Sequence, residues 1–238
     1  MRRLLVPLSA VALVLGFIAA PTASAQQSVN VYLGGFTPRA VDARSDEDVL
    51  VQNGVFLSTL NRTQGIDIGR FNSVTIGGEW LFAMTRNIEG GLGIGFYQRA
   101  VPTLYTDLVN TNGTDIEQTL KLRIVPFTAT VRLLPFGNDQ PIQPYIGAGV
   151  GVYRWRYSET GDFVFPGNDV RYRNFVASGA ATGPTILGGI RVPIGSAGVG
   201  FEIRHQSAEG TVPADPLFTE AKIDLGGFNY LFTMNFRF

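Results

Sequence analysis

Residues 228–238 read Phe-Asn-Tyr-Leu-Phe-Thr-Met-Asn-Phe-Arg-Phe. Phe228, Tyr230, Phe232, Met234, Phe236 and Phe238 are large and apolar, and Asn229, Thr233, Asn235 and Arg237 fall between them. Successive side chains of a β-strand point to opposite faces, so this alternation predicts a strand with one uniformly apolar face and one mixed face. Seven further segments share the texture. Val29, Val31 and Leu33 stand against Asn30, Tyr32 and Gly34; Val74, Ile76, Trp80, Phe82 and Met84 stand against Thr75, Gly77 and Glu79. Leu92, Ile94 and Phe96 oppose Glu89, Gly91, Gly93, Gly95, Tyr97 and Arg99. The remaining four occupy 125–133, 145–153, 185–194 and 199–204; their mixed faces draw on Gly, Thr and Tyr with at most two charges each, and none in 145–153.

A soluble β-sandwich also alternates, with its apolar face inward and charges outward. Two features favour the opposite arrangement, in which the apolar face meets lipid. The mixed face is rich in glycine and poor in charge, which suits a narrow, crowded lumen. The connections also alternate in length: those near 85–88, 135–142 and 194–198 are short, and those near 38–68, 100–118, 158–180 and 207–222 are long. Short periplasmic turns and long extracellular loops characterise membrane barrels. The expected fold is therefore all-β, an eight-stranded antiparallel transmembrane β-barrel. Leu120, Leu122 and Ile124 are out of phase with the apolar face that follows them, which predicts a bulge near Pro126 or a strand that has already left the lipid.

The composition agrees. Charged residues make up 16% of the chain, against about a quarter in soluble domains. The chain has no cysteine, which excludes a disulfide framework and a thiolate metal site. Nineteen basic and nineteen acidic residues balance, and no basic stretch suggests nucleic acid. No cofactor is expected. At the N-terminus Arg2 and Arg3 precede the apolar run Leu4–Ala20, and Ala23-Ser24-Ala25 follows. That order predicts a signal peptide over 1–25 and export through the inner membrane, with 26–238 forming the barrel.

The alternation of Tyr230, Phe232, Met234, Phe236 and Phe238 resembles the terminal β-signal by which barrel-assembly machinery recognises outer-membrane substrates. The opening Val29-Asn-Val-Tyr-Leu-Gly-Gly, the Gly77-Gly-Glu79 triplet and Pro144-Tyr-Ile-Gly-Ala-Gly-Val-Gly151 resemble the small OmpA-like and OmpW-like outer-membrane β-barrels. The resemblance implies eight strands, both termini in the periplasm, and outer-membrane lipid and lipopolysaccharide as surroundings; a monomer is expected. It implies no particular activity, because the fold hosts porin-like, adhesive, enzymatic and structural members.

With the apolar faces toward lipid, the lumen receives Glu79, Glu89, Arg99, Arg132, Arg191, Glu202, Arg204 and Arg237. Strand direction places Arg132, Arg191, Arg237 and Glu89 near the periplasmic mouth. Charges in a narrow lumen must pair, so these residues are expected to form an Arg–Glu network that plugs the bore; a gate or narrow anion-preferring pore is the alternative. The lumenal glycines are expected to make room for large aromatics. Trp80, Trp155, Tyr157 and Tyr230 suit aromatic girdles.

A hydrolase reading stands beside these. His205 and Ser207 share a strand face by parity, and Glu220 follows downstream. The set is similar to the lipid A 3-O-deacylase barrels, which use His, Ser and Glu on the outer wall, although Ala208 follows the serine where that family typically carries asparagine. In the loops, Ser45-Asp-Glu-Asp48 predicts a capped helix at Val49, and no metal-ligand spacing appears. The main expectation is a non-enzymatic barrel with an envelope or surface-contact role.

Overall fold

The computed structural model describes residues 27–59, 65–213 and 221–238. The export segment read at 1–25 lies outside them. The elements are β1 (Gln27–Pro38), α1 (Val49–Asn53), β2 (Leu57–Thr59), β3 (Ser73–Ala83), β4 (Ile88–Val109), β5 (Asp115–Leu133), β6 (Gln143–Phe165), β7 (Asp169–Ile194), β8 (Ala197–Gln206), β9 (Glu209–Val212), β10 (Ala221–Asp224) and β11 (Gly227–Arg237). Eight of the strands close a ring in the order β1-β3-β4-β5-β6-β7-β8-β11, and β11 returns to β1. Every pairing in the ring is antiparallel, with Val31 facing Met234 across the closure. Closure leaves the wall without a free edge where all eight strands run side by side; beyond Tyr97 and Thr185 the longer β4, β5, β6 and β7 continue past the ends of β3 and β8. Each of the eight alternating sequence segments lies in one ring strand.

The apolar face points outward, which rules out the sandwich. Val150 is 66% exposed and Phe232 71% exposed, while the intervening Tyr145, Asn229 and Thr233 are buried. The outward residues of all eight strands form one apolar belt at the end of the barrel that holds the termini and the short turns.

β6 and β7 are 23 and 26 residues long, whereas about 9–11 tilted residues cross a bilayer. Half of each strand therefore stands beyond the belt, and there the polarity of the wall inverts while the parity holds. On β6 the outward series runs Ile146, Ala148, Val150, Val152, then Arg154 and Arg156; the inward series runs Tyr145, Gly147, Gly149, Gly151, then Tyr153, Trp155 and Tyr157. Residues 100–118 and 158–180, read from sequence as loops, are thus mostly strand, and the β6–β7 hairpin turns only at 166–168, where Gly167 and Asn168 take φ of 87° and 59°. Leu120, Leu122 and Ile124 point inward with Thr128 and Thr130 because β5 has left the belt. No bulge occurs at Pro126: Ile124 pairs Tyr97 and Phe127 pairs Ile94 in one register, and the shift lies between Leu104 and Val109. Trp155 and Tyr157 are buried core residues and take no part in a girdle; Trp80 and Tyr230 do face outward.

Candidate functional site: a charge-filled bore under an apolar cap

The bore is crossed at mid-height by Glu79 from β3, Arg132 from β5, and Glu202 and Arg204 from β8, all buried. One Arg132 Nη donates to the carboxylates of both Glu79 and Glu202, the latter at 2.9 Å. Arg204 donates to Glu202 Oε1 through Nε at 2.9 Å and Nη2 at 2.7 Å, and its Nη2 lies 3.4 Å from Glu79. Thr130 Oγ1 donates to Glu79 at 3.2 Å and the Tyr145 hydroxyl to Glu202 at 3.0 Å. Arg132 lies over the Tyr145 ring at 4.8 Å and Arg204 over Tyr32 at 5.5 Å. Two carboxylates and two guanidiniums balance, which is what a site shielded from water demands.

The glycines on the inner face make this possible. A Cβ on Gly77 would stand 2.3 Å from the Tyr32 hydroxyl, and one on Gly189 would stand 2.6 Å from that of Tyr145. These two lumenal glycines thus clear space for the tyrosines that flank the charges.

A second group closes the end near the termini. Arg191 donates to Glu89 Oε1 at 2.6 Å and to Gln143 Oε1 at 2.9 Å, and Arg237 reaches the same Gln143 oxygen at 3.1 Å. Arg132, placed at this mouth from sequence, belongs to the central group instead, because its long side chain climbs to Glu79 and Glu202. Arg99 belongs to neither. β3 pairs with β4 only as far as Tyr97, so Arg99 stands past the end of β3, exposed, where it donates to the Arg70 carbonyl at 2.9 Å.

Above the charges the bore is apolar. Inward Tyr97, Leu120, Leu122, Ile124, Tyr153 and Trp155 pack against residues from the long connections: Val49 and Leu50 of α1, Leu57, Phe71, Val212 and Ile223. Asp48 anchors this cap. Its carboxylate accepts from Leu50 N at 2.9 Å as the N-cap of α1, from Arg44 at 2.9 Å, and from Asp224 N at 2.6 Å. The helix read at Val49 therefore forms, capped by Asp48, while Ser45 accepts from Glu47 N. Burial raises the Asp48 carboxyl above its usual range despite Arg44. Glu159, also buried, accepts from Asn53 and, at 2.8 Å, from the Tyr157 hydroxyl; burial raises its carboxyl too. Sequence reading missed Glu159 and the burial of Asp48, because nothing in the flanking residues marks either as buried.

Of the hydrolase candidates, His205 and Ser207 lie among the described residues. His205 faces outward on β8 and packs on Phe228 with ring centres 4.7 Å apart. Ser207 lies past the end of β8, and its hydroxyl accepts from Arg39 at 2.9 Å, which itself pairs with Asp224 at 3.1 Å. The Ser207 hydroxyl is thus engaged by Arg39. Glu220 lies outside the described residues. Tyr230, Phe232, Met234, Phe236 and Phe238 all point outward from the closing strand. Among the described residues no cluster of His, Asp or Glu is placed to hold a metal ion.

No protein-family model matches the chain, and no curated protein matches it. Among solved structures it is similar to the outer membrane protein OprG from Pseudomonas aeruginosa, at 10% identity and a TM-score of 0.52 over 90% of this chain and 96% of that one. Neisserial surface protein A matches at 10% identity and a TM-score of 0.46, over 90% and 97% of the two chains. Escherichia coli outer membrane protein W matches at 12% identity and 0.44, over 91% and 100%. The likeness to OprG establishes the fold, an eight-stranded barrel of the outer-membrane type.

Proposed function

We propose that this protein is an integral outer-membrane barrel with a closed bore and a structural or surface-contact role, and that it is not an enzyme. The observation that carries the reading is the pairing of a continuous outward apolar belt with a bore filled by the Glu79–Arg132–Glu202–Arg204 cluster. A belt of that kind is stable only against lipid. A wall of eight strands leaves room inside for side chains but not for a wide channel, and here two ion-pair groups and the apolar cap occupy it. The outward aromatics of β11 support a role as the segment read by barrel-assembly machinery.

The engagement of the Ser207 hydroxyl by Arg39 and of the His205 ring by Phe228 weighs against the deacylase reading, and the filled bore weighs against a pore. Reconstitution into planar bilayers tests the account. The expected result is a heat-dependent gel shift, which marks a folded barrel, together with no persistent conductance. A steady ohmic current would favour the pore. Loss of an acyl chain from lipid A that depends on His205 would favour the hydrolase.

A further inference from the structure

Immediately above the apolar belt, the outer wall carries Lys121 and Arg123 on β5 and Arg154 and Arg156 on β6. Arg123 sits directly opposite Arg156 in the ladder, and Arg154 faces Val125. Like charges opposed across a strand pair repel. None of the four forms an ion pair with a described residue. The neighbouring strands bring no acid to relieve them: Arg156 is flanked by Ser178 of β7, Arg154 by Ala180, and Arg123 by Gln98 of β4. The repulsion within the protein is therefore uncompensated.

The same wall is grooved. A depression of about 730 Å³ is lined by Arg123, Arg154, Arg156 and Ser178 and extends down to Phe127. The small residues Ser178, Gly179 and Ala180 keep the guanidiniums open to it. Below Phe127 a second groove of about 730 Å³ runs along the belt, walled by Leu92, Ile94, Ala129, Val150 and Val152, with a floor of Gly93 and Gly151. Phe127 lines both. A cationic recess thus opens into an apolar furrow on one continuous face.

We propose that this face binds a phosphate-bearing glycolipid of the outer leaflet, with its phosphates between Arg123, Arg154 and Arg156 and an acyl chain along the furrow below Phe127. The inference rests on the reading of the belt as lipid-embedded. Charge complementarity selects an anionic headgroup, since guanidiniums bind phosphate through paired donors. The height of the cluster, at the upper margin of the belt and on the side away from the termini, selects the outer leaflet. Headgroup and chain would be held together, so neither half of the lipid should suffice alone.

The test uses the full chain folded in zwitterionic detergent, with retention of diphosphoryl lipid A read by native mass spectrometry. The Arg123→Gln/Arg154→Gln/Arg156→Gln variant removes the cluster from exposed positions, and Arg70→Gln/Arg86→Gln/Arg171→Gln removes equal charge elsewhere. The expected result is affinity weakened about tenfold or more by the first set and less than about twofold by the second. Dephosphorylated lipid A should bind the wild type no better than the first variant binds the phosphorylated form, and excess inorganic phosphate should leave the lipid bound. Equal retention by wild type and first variant would overturn the proposal, as would full displacement by inorganic phosphate, which would mark a simple ion site. A heat-dependent gel shift and bilayer insertion are scored on the same samples. Their absence in the wild type would instead sink the membrane reading itself.

Discussion

Arg132 of β5 and Glu202 of β8 stand 2.9 Å apart across the bore, although two strands separate them around the wall. The contact braces opposite sides of the barrel, and it exists only because Glu79 and Arg204 complete a neutral set beside it. Removing one member should hurt more than removing a pair.

Arg132→Met leaves Glu79 and Glu202 facing Arg204 alone. An unbalanced buried charge costs about 3–5 kcal/mol, so the denaturant midpoint of the heat-dependent gel shift should fall sharply. Adding Glu202→Gln restores neutrality between Glu79 and Arg204, and the double variant should recover part of the loss. A double variant less stable than Arg132→Met would contradict the charge-balance account.

Gly34 and Gly35 are adjacent on β1, yet they meet opposite surroundings. A Cβ on Gly34 would sit 1.9 Å from the Tyr230 carbonyl oxygen at the β1–β11 closure, whereas one on Gly35 would meet nothing within 4 Å. Gly34→Ala should cost about 1–3 kcal/mol through overpacking and lower the yield of closed barrel. Gly35→Ala should be close to neutral in the same refolding assay.

The cap should respond to pH. Burial raises the carboxyls of Asp48 and Glu159 above their usual values of 3.8 and 4.5. An acid raised in the folded state contributes stability that is fully present below its unfolded pKa and is lost as pH rises through the folded value. Protection of the α1 amides, corrected for the intrinsic pH dependence of exchange, should therefore be greater below the usual carboxylate range than at neutral pH. Glu159→Gln keeps an acceptor for Asn53 and Tyr157 and should flatten much of that difference. An unchanged pH response would remove Glu159 as its source.

All eight ring strands were legible in the sequence because the outer face meets one apolar environment across the belt, so every outward position from Val29 to Leu33 and from Phe228 to Phe238 is apolar, while the inner face tolerates an apolar residue such as Leu231. The upper half was not legible as strand. There the surroundings exchange, with water outside and a packed cap inside, and the apolar residues move to the opposite parity at Leu120–Ile124 and Tyr153–Tyr157. A pattern read in one phase loses the strand at that point. Six of the eight charges assigned to the lumen are buried there, but their partners were not legible: Arg132 reaches a level that its strand position does not indicate, and Arg99 is released by the early end of β3. The roles of Asp48 and Glu159 depend on which loop folds into the bore, and local spacing does not encode that.

The belt makes a quantitative demand. Val150→Arg places a charge on the outward face among apolar neighbours and should cost about 2–4 kcal/mol in a bilayer if it lies near the midplane. The same change at Ser158, on the same face beyond the belt, should be nearly neutral. Equal costs at both positions would mean that the two do not sit in different media.

The most direct measurement exploits the absence of cysteine from the chain. Single Val150→Cys and Ser158→Cys variants, labelled with one environment-sensitive fluorophore and reconstituted into vesicles, report two heights on one face of β6. The account predicts that label at 150 is quenched by lipids brominated on their acyl chains and shielded from aqueous iodide, with the reverse at 158. Iodide quenching of equal strength at both positions, with no effect of brominated chains at 150, would contradict a membrane-embedded belt.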